Sequence, residues 1–149
     1  MRIAIIISVT WAEHAQEVLR EAGRRRGGAR YAVVDQLSRE ECCLSPQELH
    51  DRLRAQGRPV SVASIYRVLD LLVDSGLVER IDTGPGSARY EARHESGEHH
   101  HHLVCDDCGK VEAFADEALE RAIHEVQERA GARAHHILLR CACADCRPS

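Results

Sequence analysis

Two C-x2-C pairs in the second half of the chain restrict its fold more than any other feature. Cys105 and Cys108 form the first pair, and Cys143 and Cys146 form the second. Each pair stands at a turn that can present two thiolates to one ion, and four thiolates in a tetrahedral array favour zinc. One ion would tie the first hairpin of the second half to its last strand, in a closed and therefore structural site. The alternatives are four unligated thiols or a redox pair, although redox C-x-x-C motifs normally precede a helix in a thioredoxin-like fold.

The cysteine count and the first residues of the sequence bear on the cellular compartment of the protein. The cysteine count is seven, an odd number, and no secretion signal is recognisable, which argues against a disulfide framework. The apolar run at residues 3–9 is too short to span a bilayer and lacks a cleavage site, so it is interpreted as an edge strand or an extension. A cytoplasmic protein is expected. Cys141 points to the opposite face of its strand from its neighbours and is expected to be a packed thiol.

Apolar residues in the first half have helical spacing. The boundary signals are strongest around the third helix, where Ser45 is a predicted N-cap, Pro46 takes the first helical position and Glu48 follows three residues after the cap. Ser61 is the predicted cap of the fourth helix. The four predicted helical stretches are 11–23, 29–39, 45–57 and 61–76.

After the fourth helix the periodicity changes to that of short strands. Residues 77–82 and 88–92 are predicted to be extended, with the turn cluster TGPGS between them. Helices joined by a short turn and followed by a β-hairpin form a winged helix-turn-helix, in which the later helix enters the major groove of DNA. Tyr66 and Arg67, early on that helix, are therefore the predicted DNA contacts. The alternative is that Tyr66 packs in the core and Arg67 is only solvated.

The charge distribution also favours a DNA-binding first half. The net charge of −4 lies entirely in residues 86–149, whereas residues 1–85 are balanced. Arginines are concentrated within eleven residues of that balanced half. Such a cluster is either a solvated face or a set of phosphate contacts. The predicted phosphate contacts are Arg24, Arg25, Arg26 and Arg30.

The second half mixes strands with one long helix. Residues 101–105 and 110–114 are predicted strands on either side of a turn, and residues 135–141 form a third strand. Residues 116–131 are a predicted amphipathic helix. Its inward-facing residues are expected to be Ala118, Leu119, Ala122, Ile123 and Val126.

Four consecutive histidines stand directly before the first cysteine pair. Side chains alternate between the two faces of an extended strand, so His100 and His102 would point one way and His99 and His101 the other. Two separate metal sites can then each draw two imidazoles from one strand. The alternative is a solvated polar run.

Three motifs together carry a resemblance over nearly the whole chain. SIYRVL at residues 64–69, HHHHLVCDDCGKVEAF at 99–114 and CADC at 143–146 resemble the ferric uptake regulator family of bacterial metal-responsive repressors in order and spacing. The resemblance implies an α+β protein, in which a winged helix-turn-helix domain is followed by a small α/β dimerisation domain with a three-stranded sheet and one long helix. It also implies a homodimer that binds operator DNA when loaded with metal. Expected boundaries are 1–84 for the DNA-binding domain, with 1–9 as a possible extension, 85–96 for the hinge and 97–149 for the dimerisation domain.

The resemblance implies three metal sites. The structural zinc site takes the four paired cysteines. A regulatory site takes His100 and His102, completed either by Glu79 and His94, as in zinc sensors, or by Glu91 and Cys43, at the positions that iron sensors use. The third site would be formed by His99, His101, Glu120 and His135.

The sensed ion stays open between zinc and iron. Imidazole with carboxylate suits Zn²⁺ and Fe²⁺ alike, while a Cys43 thiolate favours zinc, which is slightly preferred. Manganese, nickel and peroxide sensing are further alternatives. A zinc hydrolase lacks support because no H-E-x-x-H is present and the helix-turn-helix would go unexplained; a metal-storage protein is the other rival. The chain is expected not to be an enzyme, and to bind neither a membrane nor a small-molecule substrate.

Overall fold

The computed structural model describes residues 10–21, 27–84, 86–93, 100–133 and 136–147. The chain divides into two compact units, Met1–His94 and Glu95–Ser149. Within the described ranges, every helix is too short or too polar to cross a membrane. The elements are α1 (Trp11–Glu21), α2 (Gly28–Leu37), α3 (Pro46–Ala55), α4 (Val62–Asp74), β1 (Val78–Gly84), β2 (Ser87–Ala92), β3 (His101–Cys105), β4 (Val111–Phe114), α5 (Glu117–Ala130) and β5 (Leu138–Cys141). The predicted α+β class is confirmed.

Helices α3 and α4 begin at the residues that the sequence signals predict. The Ser45 side chain accepts a hydrogen bond from the Glu48 N–H (3.2 Å), and the Glu48 carboxylate accepts one from the Ser45 N–H (2.7 Å). This capping box satisfies two backbone donors that would otherwise lack partners. The Ser61 side chain caps α4 by accepting from the Ser64 N–H at 3.2 Å. The turn between the two helices contains Gly57 at a φ of 70°, a conformation that glycine adopts without strain.

The core of the first unit is aliphatic and lies between its four helices and its hairpin. Strands β1 and β2 pair antiparallel. The hairpin is joined to the helices by the Leu44–Tyr90 backbone bridge, with N···O distances of 2.8 and 2.9 Å, and by the Trp11 indole N–H, which donates to the Leu77 carbonyl at 3.2 Å. The largest fully buried side chains are Leu19, Leu37, Leu49, Leu53, Ile65, Leu69, Leu72 and Ile81.

The second unit is a three-stranded sheet with the order β4-β3-β5. Strand β3 pairs antiparallel with β4 and parallel with β5, and α5 makes the crossover that a parallel pair requires. Asp116 caps α5, and Gly131 ends it at a φ of 60°. Because β3 and β5 are parallel, their carboxyl ends lie at the same edge of the sheet.

Two expectations for the second unit were wrong. Helix α5 has no buried residue: Ala118 and Ala122 are exposed, Leu119 and Ile123 are only partly buried, and Val126 is 53% exposed. The three-stranded sheet of one chain is too small to cover the whole apolar stripe of this helix. The last strand is also shorter than predicted and begins at Leu138.

Candidate metal sites and DNA-binding surface

Four thiols meet at the edge of the sheet where β3 and β5 end. The register Cys105↔Cys141 aligns the two strand ends, and the first pair follows β3 while the second follows β5. The Sγ atoms of Cys105, Cys108, Cys143 and Cys146 all lie within 4.8 Å of one another. Tetrahedral zinc with bonds of about 2.3 Å separates its sulfur atoms by about 3.8 Å, and Cys108 and Cys143 are 3.7 Å apart. The donor set and its spacing therefore fit zinc.

The surroundings of this cluster favour the ionised form of one thiol, that of Cys105. The backbone N–H of Cys143, 3.3 Å from the Cys105 sulfur, and that of Cys108 lower the pKa of Cys105 to about 6. The Lys110 N–H lowers the pKa of Cys108, but hydrogen bonds with the Cys105 and Cys143 thiols raise it overall. The pKa of Cys146 is raised, first by the Cys143 thiol and then by the Cys108 thiol. Without a cation, one thiolate makes its neighbours harder to ionise, whereas a bound cation removes that conflict.

Cys141 lies outside this group of four. It is a half-buried residue of β5, directly opposite Cys105 in the parallel register. Its pKa is raised, first by burial and then by the charge of Cys105. This environment is that of a packed thiol.

The histidines of β3 alternate between the faces of the strand. The His101 ring contacts Phe114, with ring centres 5.6 Å apart, and its Nε2 lies 2.7 Å from a Glu120 carboxylate oxygen. The Ile137 N–H donates to the His101 Nδ1 at 3.0 Å, so the Nε2 proton faces Glu120. Of the predicted third site, the structure thus brings His101 and Glu120 together.

His102 faces the opposite way, towards other histidines. Its ring centre is 5.0 Å from that of His100 and 6.1 Å from that of His136. The chain brings His100 and His102 together, as strand alternation predicts. His136 is a member of this group that the sequence did not single out. The HH dipeptide was the available signal, but the late start of β5 left the orientation of its two residues undetermined.

Several predicted ligands lie outside the described residues. They are His94, His99 and His135.

The two carboxylates that were predicted as alternatives are neighbours on the hairpin. Glu79 of β1 and Glu91 of β2 are direct partners in the antiparallel register, and both are half-buried. Direct cross-strand partners have Cβ atoms about 4.5–5.5 Å apart on the same face of the sheet. The Arg93 Nε lies 3.7 Å from a Glu79 carboxylate oxygen. The hairpin therefore presents both acidic groups together.

Cys43 lies between α2 and α3 and is only 2% exposed. Its sulfur is 3.9 Å from that of Cys42. The hydrogen bond with the Cys42 thiol and then burial raise the pKa of Cys43. The Arg89 guanidinium donates to the Cys43 carbonyl at 3.3 Å and pairs with Glu48, which anchors this segment to the hairpin.

The predicted DNA contacts on α4 are accessible. Tyr66 is 47% exposed, which excludes the alternative that its side chain packs in the core. The Arg67 side chain is exposed and runs back along the helix, where its Nε donates to the Ala63 carbonyl (3.3 Å) and its Nη2 to the Ser64 hydroxyl (3.5 Å). Arg30 is half-buried in α2. Arg24, Arg25 and Arg26 lie outside the described residues.

One further basic residue of this surface was not predicted. Arg58, in the turn between α3 and α4, stacks on the ring of Tyr31 with its guanidinium carbon 5.6 Å from the ring centre. Its Nη1 also pairs with Asp35 at 2.6 Å. The sequence carried only a weak signal, a single arginine between two capped helices, because its partners come from α2.

Comparison with known proteins gives one consistent result. The model of the ferric uptake regulator family matches residues 21–142. The ferric uptake regulation protein of Vibrio anguillarum is 35% identical over 133 residues, 87% of each chain. The Helicobacter pylori ferric uptake regulator, whose structure is described as revealing three functional metal binding sites, superimposes with a TM-score of 0.77 at 29% identity over 93% of each chain. The Vibrio cholerae ferric uptake regulator gives a TM-score of 0.70 at 30% identity, covering 86% of this chain and 98% of that one.

Proposed function

The chain belongs to the ferric uptake regulator family, and on that premise we propose that it is a cytoplasmic, metal-dependent repressor of metal-homeostasis genes. In this proposal it binds operator DNA as a homodimer and is a regulator rather than an enzyme. The observation that carries the proposal is strand β3, which directs His101 towards Glu120 and His102 towards His100 and His136. A structural zinc site alone needs no such histidines, whereas a metal sensor does.

The four-cysteine cluster is proposed to be the structural site. When bound there, zinc supplies cross-linking and folding free energy without an open coordination position. The backbone N–H groups of Cys143 and Cys108 hold the Cys105 sulfur as a thiolate. The ends of β3 and β5 are thereby joined.

The regulatory ligands stay a prediction from the sequence. We propose His100 and His102 as the imidazole donors, and the remaining candidates are Glu79, Glu91, Cys43 and His94. The contact between the His100 and His102 rings supports the first two. The metal must bind the DNA-competent form more tightly than the alternative form. A hundredfold preference corresponds to about 2.7 kcal/mol of coupling free energy.

A third site is proposed around His101 and Glu120, with His99 and His135 as its other candidate ligands. Nε2 is the His101 nitrogen that faces Glu120, so it is the atom that would bind a metal there together with the carboxylate. As a neutral ligand His101 would then carry its ring proton on Nδ1, and the hydrogen bond that Nδ1 accepts from the Ile137 N–H would be given up. Imidazole and carboxylate are both common zinc ligands.

The homodimer is supported by the uncovered apolar stripe of α5. Val126 is 53% exposed and Leu139 of β5 is 44% exposed, although both are apolar. A helix that is apolar along one face gains stability by burying that face. A second copy of this chain is the partner that the family resemblance implies.

Operator binding is proposed to use the exposed start of α4. In helix-turn-helix proteins the N-terminal residues of the second helix reach the base edges, and Tyr66 and Arg67 occupy that part of α4. The charges of Arg24, Arg25, Arg26 and Arg30 would contact phosphates and make binding depend on salt.

Zinc is the proposed sensed ion because Cys43 adds a thiol to the candidate ligands, and thiolates suit zinc better than they suit manganese. Iron is the second candidate. It is favoured by the position of Glu91 and by the relatives, which are named for ferric uptake.

The test is a DNA-binding titration in the presence of Zn²⁺, Fe²⁺, Mn²⁺ or Ni²⁺, with fluorescence anisotropy as the readout. The DNA is a duplex that the protein itself has selected from a random library. Metal content per chain is measured in parallel. A zinc sensor should hold more than one zinc per chain and bind DNA more tightly with Zn²⁺. A single zinc with binding activated only by Fe²⁺ would instead favour the iron sensor.

Matched variants separate loss of the regulatory metal site from loss of folding or dimerisation. The double substitution His100→Ala with His102→Ala should abolish the metal response and leave a folded dimer. His124→Ala is the control, because His124 is exposed and pairs with Glu128 in the same helix. DNA binding that stays metal-dependent in the double variant would contradict the assignment of His100 and His102.

A further inference from the structure

A cavity of about 590 Å³ separates the start of α2 from the start of α4 in the first unit. Tyr31, Arg58, Ser61 and Ser64 contribute side chains to its lining. Tyr31 is 61% exposed, so its ring is accessible at the surface. The cavity adjoins the end of α4 that carries the predicted base-contacting residues.

The Arg58 guanidinium is held in one orientation at this cavity. Asp35 binds its Nη1 at 2.6 Å, and the Tyr31 ring lies below its guanidinium carbon at 5.6 Å. The flat guanidinium group binds phosphate oxygens through two parallel hydrogen bonds, and holding it in place reduces the entropy lost on binding. The pair of contacts therefore orients the cation before a ligand arrives.

Asp35 does not cancel the positive charge here. The Arg58 hydrogen bond is the main cause that lowers the pKa of Asp35, so this carboxyl is ionised at neutral pH. Arg39 binds the other oxygen of Asp35 at 3.0 Å. Two guanidinium groups around one carboxylate leave a net charge of +1.

Arg67 brings a second guanidinium to the same end of α4. Its Nη2 donates to the Ser64 hydroxyl, and the Ser61 and Ser64 hydroxyl oxygens are 2.9 Å apart. Ser61 and Ser64 also line the cavity with Arg58. Arg58 thus lines the same cavity as the two hydroxyl groups, and Arg67 binds one of them.

We propose that Arg58, oriented by Tyr31 and Asp35, is a DNA-backbone contact that binds a phosphate beside the recognition helix α4. This inference rests on the proposed DNA-binding function and adds a phosphate contact from the turn between α3 and α4. Phosphate contacts position a protein on the duplex without reading its sequence. Arg58 therefore contributes equally to operator and non-operator DNA.

The test measures affinity against salt concentration by fluorescence anisotropy, with the library-selected duplex and with a duplex of random sequence. Arg58→Gln should weaken binding to both duplexes by the same factor. It should also reduce the slope of log K against log salt by about 0.9 for each bound chain, or about 1.8 for a dimer. Arg58→Lys keeps the charge and should keep the slope.

Arg39→Gln is the matched control, because it removes the other cation bound to Asp35 and keeps Arg58 with its partner; it should keep the wild-type slope. Asp35→Asn keeps the charge of Arg58 but removes the carboxylate that orients it, so it should weaken binding to both duplexes and change the slope less than Arg58→Gln does. Thermal unfolding of every variant checks that the first unit is folded. Equal slopes for the wild type and a folded Arg58→Gln would overturn the inference.

The random-sequence duplex separates this inference from the proposed function. Its binding requires no metal response, so a slope change at Arg58 without any metal dependence would contradict the repressor and support the phosphate contact. Metal-dependent binding with no slope change in Arg58→Gln would support the repressor and contradict the phosphate contact. A protein that binds neither duplex contradicts both.

Discussion

At the scale of single residues, the chemistry of a side chain here depends on which segment lies beside it. The Cys105 thiol has a pKa of about 6 because backbone N–H groups from Cys143 and Cys108 point at its sulfur. The Cys43 thiol, buried next to Cys42, has a raised pKa. The same residue type thus meets backbone N–H donors in one place and a second thiol in another, and its pKa moves in opposite directions.

Removing one thiol of the four should release the structural metal. Cys108→Ser is expected to lower zinc affinity by more than about a hundredfold, because it removes a direct ligand. Removing a residue that only hydrogen-bonds to a ligand already costs roughly tenfold to hundredfold. Zinc content after dialysis against a chelator and thermal unfolding measure the effect. Cys141→Ser is the matched control and should retain the metal; equal loss in both variants would contradict the four-thiol site.

At the scale of elements, local signals determine where the helices of the first unit begin. Ser45 and Glu48 satisfy each other's backbone donors, and the Ser61 hydroxyl accepts a hydrogen bond from the Ser64 N–H. These contacts join residues three positions apart, so they can be recognised in the sequence. The apolar stripe of α5 was also recognised, but its exposure in the single chain was not predictable from the helix alone.

The Ser45 cap should contribute measurably to the free energy of unfolding. Ser45→Ala removes the acceptor for the Glu48 N–H and should lower the free energy of unfolding by about 1 kcal/mol. Ser45→Thr keeps a hydroxyl and should lose less. Urea unfolding monitored by circular dichroism gives both values; equal stability of Ser45→Ala and the wild type would show that the cap contributes nothing.

At the scale of the whole molecule, the second unit is incomplete as a single chain. It buries Val104 and Cys105 but leaves the α5 stripe uncovered. A small unit without a sufficient core usually needs a metal or a second subunit. Both are part of the proposed function, so stability and assembly should be linked.

A charge on the α5 stripe should break the dimer. Val126→Glu is expected to raise the dimer dissociation constant at least tenfold, because losing the burial of one valine costs about 1.5 kcal/mol or more and 1.4 kcal/mol corresponds to a factor of ten. Sedimentation velocity measures the mass. His124→Glu, two positions away and therefore on another side of the helix, should stay dimeric. A dimer that tolerates both substitutions would place the interface elsewhere.

Local patterns in the sequence were enough to predict the candidate ligand types, the helix starts at Ser45 and Ser61, and the alternation of His101 and His102. Each depends on residues only a few positions apart, through helix capping or the two-residue repeat of a strand. Packing between distant segments sets which groups meet: Cys108 with Cys143, His101 with Glu120, and Arg58 with Tyr31. These pairs depend on the packing of α2 against its neighbours, the packing of α5, and the register of β3 with β5. Many local conformations are compatible with different registers, and only the packing of the complete unit selects one.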